Sequence, residues 1–180
     1  MALVGGFLTV NTFRTRPVVT HDTRLQSGGR VRLIVVAPTS QSARLNAVVG
    51  AAIESLRAAA QRQGDMFETV GVSDNWLVAS GLRDLEALGS FDEVIVGRNW
   101  LNHGVERYIT NLGGRAVVPQ LVLVHQVIGT DSIPFTYGPV TQLYRAAGML
   151  EIIAWSEQGF PFDVSSTRLD RSLQAESVLP

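Results

Sequence analysis

The sequence predicts an α/β domain with a mostly parallel central sheet, covered by helices in a three-layer sandwich. Strand-like apolar runs alternate with helix-like apolar stripes along residues 31–124, which favours successive β-α-β units. Hydrophobic residues make up 46% of the 180, enough for a packed core, so global disorder is excluded. Charged residues make up only 17%, below the roughly 25% of ordinary soluble domains.

The first predicted β-α-β unit begins after an N-terminal segment. Residues 31–37 form a nearly continuous apolar run that Pro38 ends, as expected of a strand buried on both faces. Apolar residues at helical spacing then predict a helix over 42–63. A second strand and a second helix are predicted over 66–72 and 75–89.

The alternation continues with a third predicted strand over 91–97 and a short helix after it. A fourth strand is predicted over 115–124. Pro119 has no N–H to donate to a neighbouring strand, and therefore indicates an edge strand or a break in the strand. Beyond it we expect a short helix over 140–148 and another strand over 149–155.

The chain divides into three predicted regions: an extended basic N-terminal arm over 1–30, the α/β core over 31–164 and a C-terminal tail over 165–180. Residues 1–32 carry five arginines against Asp22 alone, a local charge of +4, whereas the whole chain has a net charge of −1. The arm contains short strand-like runs without helical periodicity. We therefore expect the arm and the tail to contact neighbouring subunits rather than to fold alone.

The composition excludes several kinds of chemistry. There is no cysteine, so disulfides, thiol nucleophiles and cysteine-ligated metals are excluded. All 15 basic residues are arginine, so lysine Schiff-base chemistry is excluded as well. The three histidines lie in different predicted elements, and we expect neither a metal nor a cofactor. No apolar run approaches the ~20 residues of a membrane span and there is no export signal, so we expect synthesis in a cytoplasm and no membrane contact.

Ligands of open α/β sheets bind beyond the carboxyl ends of the strands. The loop after the third predicted strand carries the most polar groups, which are Arg98, Asn99, Asn102 and His103. It leads into a helix whose free N–H groups and dipole favour an anion. In the alternative interpretation, Trp100 and Leu101 pack this helix on the sheet and Asn102 caps it. The triplet Asn-Trp-Leu occurs at both 75–77 and 99–101, but three residues do not establish an internal repeat.

Three segments carry a resemblance to a known group of proteins. They are the small-residue-proline turn after the first strand (37–40), the segment Arg-Asp-Leu-Glu-Ala-Leu (83–88) and the tryptophan-containing loop with its helix (98–105). On these motifs, residues 31–118 resemble the nucleoside 2-deoxyribosyltransferase-like families of Rossmann-like proteins. The resemblance implies a Rossmann-like sandwich and, as one function, a nucleoside- or nucleotide-processing enzyme that acts as an N-glycosidic-bond transferase or hydrolase.

If the chain is such an enzyme, the resemblance implies that Glu106 is the nucleophile. The substrate-binding residues would then be Asp84, Arg98, Asn99, Asn102 and His103. The position that matches the family's catalytic glutamate is occupied by Tyr108, and Glu106 lies two residues earlier, roughly 200° around a helix. The resemblance therefore supports the fold more strongly than the activity.

The sequence favours a non-catalytic structural subunit of a larger homo- or hetero-oligomeric particle. The kind of particle that we expect is a phage or viral virion. The low charged fraction and the two flanking segments favour this interpretation, because a strand-forming arm can pair with a neighbour's sheet edge. Its partners would be other copies or other proteins, contacted through the arm and the tail, whereas nucleic acid is not favoured. The expected contacts in the arm are Phe7, Phe13, Arg14, Arg16 and Arg24. The acidic surface expected to receive the arm carries Asp84, Glu86, Asp92 and Glu93.

Overall fold

The computed structural model describes residues 28–40, 42–129 and 136–164. The predicted tail, and the predicted arm as far as residue 27, lie outside these described residues. The strands are β1 (Gly28–Ala37), β2 (Met66–Ser73), β3 (Glu93–Ile95), β4 (Gln120–Gly129), β5 (Thr136–Tyr137) and β6 (Thr141–Ala147). The helices are α1 (Ala43–Arg62), α2 (Val78–Leu88), α3 (His103–Val105), which continues as a π-helical turn (Glu106–Thr110), and α4 (Met149–Glu157).

The described strands form one mixed sheet with the order β3-β2-β1-β4-β5, in which β6 also pairs with β4. β1, β2 and β3 are parallel, whereas β4 is antiparallel to β1, β5 and β6. The sheet is therefore mostly parallel, as the sequence predicts, and β4 is the strand that runs against its neighbours.

The reversal of β4 follows from the short connection before it. The helical segment consists of three α-helical and five π-helical residues, and it is only about 12 Å long. β1 has 10 residues and is about 33 Å long. The helical segment therefore does not return the chain to the amino end of the sheet. The chain enters β4 at Gln120, opposite Val36 near the carboxyl end of β1.

The strand predicted over 115–124 begins later than predicted, directly after Pro119, so the break that this proline indicated is confirmed and the edge position is wrong. β4 covers Gln120–Gly129 and lies between β1 and β6. Pro119 comes immediately before the strand, where its missing N–H removes no ladder hydrogen bond.

The helix predicted over 140–148 and the strand predicted over 149–155 are interchanged in the structure. β6 pairs with β4, and α4 follows after Gly148, whose φ of 86° favours glycine. Both segments are short and rich in apolar residues, so their periodicity does not distinguish a strand from a helix. The free side of β4 decides the outcome, because it needs a hydrogen-bonding partner.

The two predicted long helices are confirmed. α1 begins at Ser42, whose Oγ accepts the N–H of Leu45 at 3.2 Å and caps the helix. α2 is shorter than the predicted span 75–89, because residues before Val78 form a loop instead. In the described ranges, no helix combines the length and the apolar character needed to cross a membrane.

Helices cover both faces of the sheet, but unequally. Successive residues of β1 contribute to opposite faces, since Leu33 belongs to one core and Ile34 to the other. The larger core lies against α1, α2 and α4, where Trp155 stacks on Tyr144 with ring centroids 4.4 Å apart. The smaller core lies against α3 and its π-helical turn. The carboxyl ends of β2 and β3 extend beyond these layers into two loops.

Candidate functional site

The loops after β2 and β3 lie in contact at the carboxyl edge of the sheet. Each contains one of the two Asn-Trp-Leu triplets, at 75–77 and at 99–101. The backbone N–H of Arg98 donates to the carbonyl of Trp76 at 3.3 Å. Gly97 has a φ of 86°, and a Cβ there would lie 3.0 Å from Cγ2 of Val78. We call these two segments, residues 74–78 and 97–101, the paired loops.

Both triplets use their asparagine side chain to fix the turn. Oδ1 of Asn75 accepts the backbone N–H of Leu77 at 3.0 Å, and Oδ1 of Asn99 accepts that of Trp100 at 2.6 Å. Arg98 and Asn99 have φ angles of 62° and 50°, a left-handed conformation that non-glycine residues adopt at a cost of about 1–3 kcal/mol each. The hydrogen bonds around these two residues hold the second loop in this conformation.

Asn102 joins the two loops from beneath. It is only 4% exposed, and its Nδ2 donates to the carbonyls of Ser73 at 3.0 Å and Asn99 at 2.7 Å. Its Oδ1 accepts the N–H of Val105 at 2.8 Å, which confirms the prediction that Asn102 caps the following helix. Of the two residues expected to pack this helix on the sheet, Trp100 packs against the smaller core but Leu101 is 77% exposed.

Two carboxylates belong to the first loop and the helix after it. Nδ2 of Asn75 donates to Oδ2 of Asp84 at 3.1 Å. Burial of Asp74 raises the pKa of its carboxyl, and the nearby charge of Asp84 raises it further. Oδ1 of Asp74 is buried without a hydrogen-bond partner in the structure. Asp74 was not among the predicted site residues, although its place just after a buried strand is the signal that identifies it.

The residues predicted for an enzyme site fall into two groups. Asp84, Asn99 and Asn102 take part in the hydrogen bonds of the paired loops, and Arg98 is exposed there. The side chains of His103 and Glu106 are 73% and 68% exposed, and Nδ1 of His103 lies 3.8 Å from Oε2 of Glu106. Glu106 is not among the residues that line the cavities of about 450 and 280 Å³. The predicted contacts Phe7, Phe13, Arg14, Arg16 and Arg24 lie outside the described residues.

The paired loops expose large apolar side chains next to this polar framework. Trp76 and Leu77 are each 63% exposed, Val78 is 54% exposed and Leu101 is 77% exposed. We call these four side chains the apolar patch. Single exposed apolar residues are ordinary, whereas a group on two touching loops is typical of a surface that contacts another molecule. The two Asn-Trp-Leu triplets were the signal for this patch in the sequence, but on their own they did not predict that the two segments touch.

The end of the sheet that carries the patch is acidic. Residues 74–98 hold five carboxylates against two arginines, a net charge of −3. Glu86, Asp92 and Glu93 are exposed, and Asp84 is half-buried. β3 pairs with β2 alone among the described strands, so its outer side is an open sheet edge.

No protein-family model, curated protein or solved structure matches this chain. We therefore infer its function from the contacts of its own described residues.

Proposed function

We propose that this chain is a non-catalytic assembly subunit of a larger oligomeric particle, such as a virion, and that its apolar patch docks on another copy. The observation that carries the proposal is the patch itself, formed by Trp76, Leu77, Val78 and Leu101 on two touching loops. Fully burying one such side chain is worth about 1.5–3 kcal/mol. Four of them at one place can drive a specific contact.

The hydrogen bonds beneath the apolar patch fix the backbone of its two loops. Asn75 and Asn99 fix the two turns, and Asn102 joins the loops through Ser73. A partner therefore meets side chains whose backbone is already ordered. The entropy of ordering that backbone, on the order of 1–2 kcal/mol per residue, is not lost again on association.

The occupant that fits this surface is the N-terminal arm of a neighbouring copy. Residues 1–27 carry three arginines against one aspartate, a net charge of +2, and they include Phe7 and Phe13. This segment complements an acidic end of the sheet that has a net charge of −3 and an apolar centre. Strand-like runs in the arm also suit the open edge of β3, because an extended segment can add to an unpaired strand.

The arm begins at the opposite end of the sheet from the patch and is long enough to reach a neighbouring copy. The arm enters β1 at Gly28, at the amino end of the sheet, whereas the patch lies beyond the carboxyl ends of β2 and β3. An extended segment of 27 residues spans at most about 90–97 Å. It can therefore reach across to the patch of an adjacent subunit.

The alternative function, a nucleoside- or nucleotide-processing enzyme, has less support from the geometry. A nucleophilic carboxylate has to be held near the reacting atom, and an error of about 1 Å can lower the rate ~100-fold. The side chain of Glu106 is 68% exposed to solvent, and that of His103 beside it is 73% exposed. Two of the five other predicted residues, Asn99 and Asn102, form hydrogen bonds within the loop structure.

The proposal is tested by the mass of the particle in solution. Sedimentation of the full chain should give a mass that is a multiple of 19.5 kDa. The double variant Trp76→Ser and Leu101→Ser should shift the mass towards the monomer at the same protein concentration. Leu150→Ser is the matched control, because Leu150 is 84% exposed but lies on α4. A full chain that is monomeric, or a double variant that assembles as well as the control, would contradict the proposal.

A further inference from the structure

A second feature of the structure is a cavity of about 280 Å³ between the loop that precedes β4, the end of β6 and the start of α4. It lies on the far side of β1 from the paired loops, and none of its lining residues belongs to them. Its lining includes Gly114, Arg115, Val117, Arg145, Ala147 and Glu151.

Arg145 is the side chain that gives this cavity its chemistry. Its Nε and Nη2 donate to Oε1 of Gln142 at 3.0 and 2.7 Å. Its Nη1 donates to Oε1 of Gln120 at 3.4 Å, and its Nη2 also donates to the carbonyl of Tyr108 at 3.3 Å. All of these acceptors are neutral, so the hydrogen bonds fix the guanidinium without cancelling its charge.

Burial acts on this charge in the direction expected of a cation held among neutral groups. It lowers the pKa of the Arg145 guanidinium, and desolvation is the cause. Arg32 shows the contrast, because its guanidinium lies 2.7 Å from Glu68 and its pKa is raised. An anion in the cavity would supply Arg145 with the negatively charged partner that Glu68 supplies to Arg32.

The absence of a side chain at Gly114 leaves room for the guanidinium of Arg145. A Cβ at this position would overlap Nη1 of Arg145, so the side chain lies directly against the glycine backbone. The N–H of Gly114 is occupied by the carbonyl of Ile109 at 2.7 Å, which fixes the loop in place. The site is therefore built around one position of the arginine.

The remaining lining leaves an excess of positive charge. Arg115 supplies a second, exposed guanidinium. Glu151 supplies one carboxylate, whose Oε2 accepts the N–H of Ala147 at 2.8 Å at the start of α4. The lining thus carries two arginines and one carboxylate, and that carboxylate already accepts a backbone hydrogen bond.

We propose that this cavity binds the oxyanion group, phosphate or carboxylate, of a small molecule, with Arg145 as the fixed donor and Arg115 as the second. Four of the five N–H groups of Arg145 donate to Gln142, Gln120 and the carbonyl of Tyr108, so the described contacts leave one Nη1–H and the positive charge for the anion. The exposed guanidinium of Arg115 can add the two parallel hydrogen bonds that suit an oxyanion, and charge-assisted hydrogen bonds are about twice as strong as neutral ones. This ligand site is independent of the assembly function, since it shares no residue with the apolar patch.

The test is a titration of the full chain with inorganic phosphate and, separately, with acetate, at constant ionic strength. The Nε–H signals of the arginines are followed by NMR. A saturable shift of the Arg145 signal is expected, and the anion that binds more tightly identifies phosphate or carboxylate as the preferred group. Arg145→Gln should weaken binding by about tenfold or more, whereas Arg44→Gln, which changes an exposed arginine on α1 outside the cavity, should leave it unchanged.

Two further variants keep the test decisive if Arg145→Gln disturbs the fold. Gly114→Ala keeps both charges but displaces the guanidinium, so it should also weaken binding. Arg115→Gln changes an exposed residue and should weaken binding several-fold. The proposal is contradicted if the full chain shows no saturable response to either anion. It is equally contradicted if Arg115→Gln and a folded Gly114→Ala bind as tightly as the unmodified chain.

Discussion

Arg98 donates its backbone N–H to the carbonyl of Trp76 at 3.3 Å, and this bond joins two loops that carry the same three-residue sequence. The contact brings together two triplets that lie in the loops after two separate strands, β2 and β3. It makes Trp76 and Leu101 parts of one surface rather than isolated exposed residues. The structural roles assigned to the residues beneath this surface lead to the following predictions.

Asn102 should be essential for stability. Replacing it with alanine removes three hydrogen bonds and leaves buried backbone groups without partners. Asn102→Ala should lower the free energy of unfolding by about 2–4 kcal/mol, measured by urea denaturation. Asn111→Ala is the control, because Asn111 is exposed at the end of the following helical turn and should change stability by less than about 0.5 kcal/mol. Equal effects of the two changes would contradict the role assigned to Asn102.

Gly97 should resist substitution for two separable reasons. Its φ of 86° disfavours any side chain, and a Cβ would also press on Val78 at 3.0 Å. Gly64 has a φ of 75° but nothing within 4 Å of a Cβ, so Gly64→Ala measures the backbone effect alone. Gly97→Ala should destabilise by roughly 1 kcal/mol more than Gly64→Ala and should shift the tryptophan fluorescence. If the two variants are equally stable, the close approach of the loops is not as described.

Asp74 should make stability fall as pH rises. Its pKa is raised in the folded protein above the ordinary value of 3.8, so the folded state holds the proton more tightly than the unfolded state. The folded state is therefore disfavoured once pH rises through this raised pKa, and the effect is absent well below 3.8. Asp74→Asn should be more stable than the unmodified chain at neutral pH by roughly a few tenths of a kcal/mol, because solvent screens this half-buried group.

The cause of that pKa shift can be checked in the same experiment. Asp84→Asn removes the neighbouring charge and should lower the pKa of Asp74, followed by NMR of its carboxyl carbon. An Asp74 that titrates at or below its ordinary pKa in the unmodified chain would show that the carboxyl is not desolvated as the structure indicates.

Charge reversal near the patch should weaken assembly. Glu86 is exposed on α2, on the acidic end of the sheet that we assign to the basic arm. Glu86→Arg should raise the concentration needed for assembly, and more salt should reduce the difference between the variant and the unmodified chain. Glu157→Arg changes an exposed charge on α4 and should have no such effect. If both reversals act alike, the attraction is general and not directed to this end of the sheet.

The first half of the fold could be predicted from the sequence because its signals are local and strong. Residues 31–37 are apolar on both faces, and the apolar residues of α1 recur at the spacing of a helix. The bounds of β1, α1 and β2 therefore fall within a few residues of the predicted ones. The second half depends on distant contacts. The direction of β4 is set by a short connection, and β6 becomes a strand because β4 offers it a free side.

The candidate surface was only partly predictable for a related reason. The polar residues Asn99 and Asn102 were found because loops at the carboxyl ends of strands are rich in function. The two triplets lie 24 residues apart in sequence, and only the parallel pairing of β2 with β3 places them side by side. Exposure of Trp76 and Leu77 also depends on α2 starting at Val78 rather than at residue 75, which the helical pattern did not indicate.

The most direct test of the central claim is the mass of the chain after deletion of residues 1–27, which ends where β1 begins at Gly28. Sedimentation velocity should give a folded monomer of the truncated chain under conditions where the full chain assembles, with unchanged circular dichroism showing that the core is retained. Adding the separate peptide 1–27 should shift tryptophan fluorescence in the truncated chain, and Trp76→Ser should reduce that shift. A truncated chain that assembles like the full chain would contradict the account.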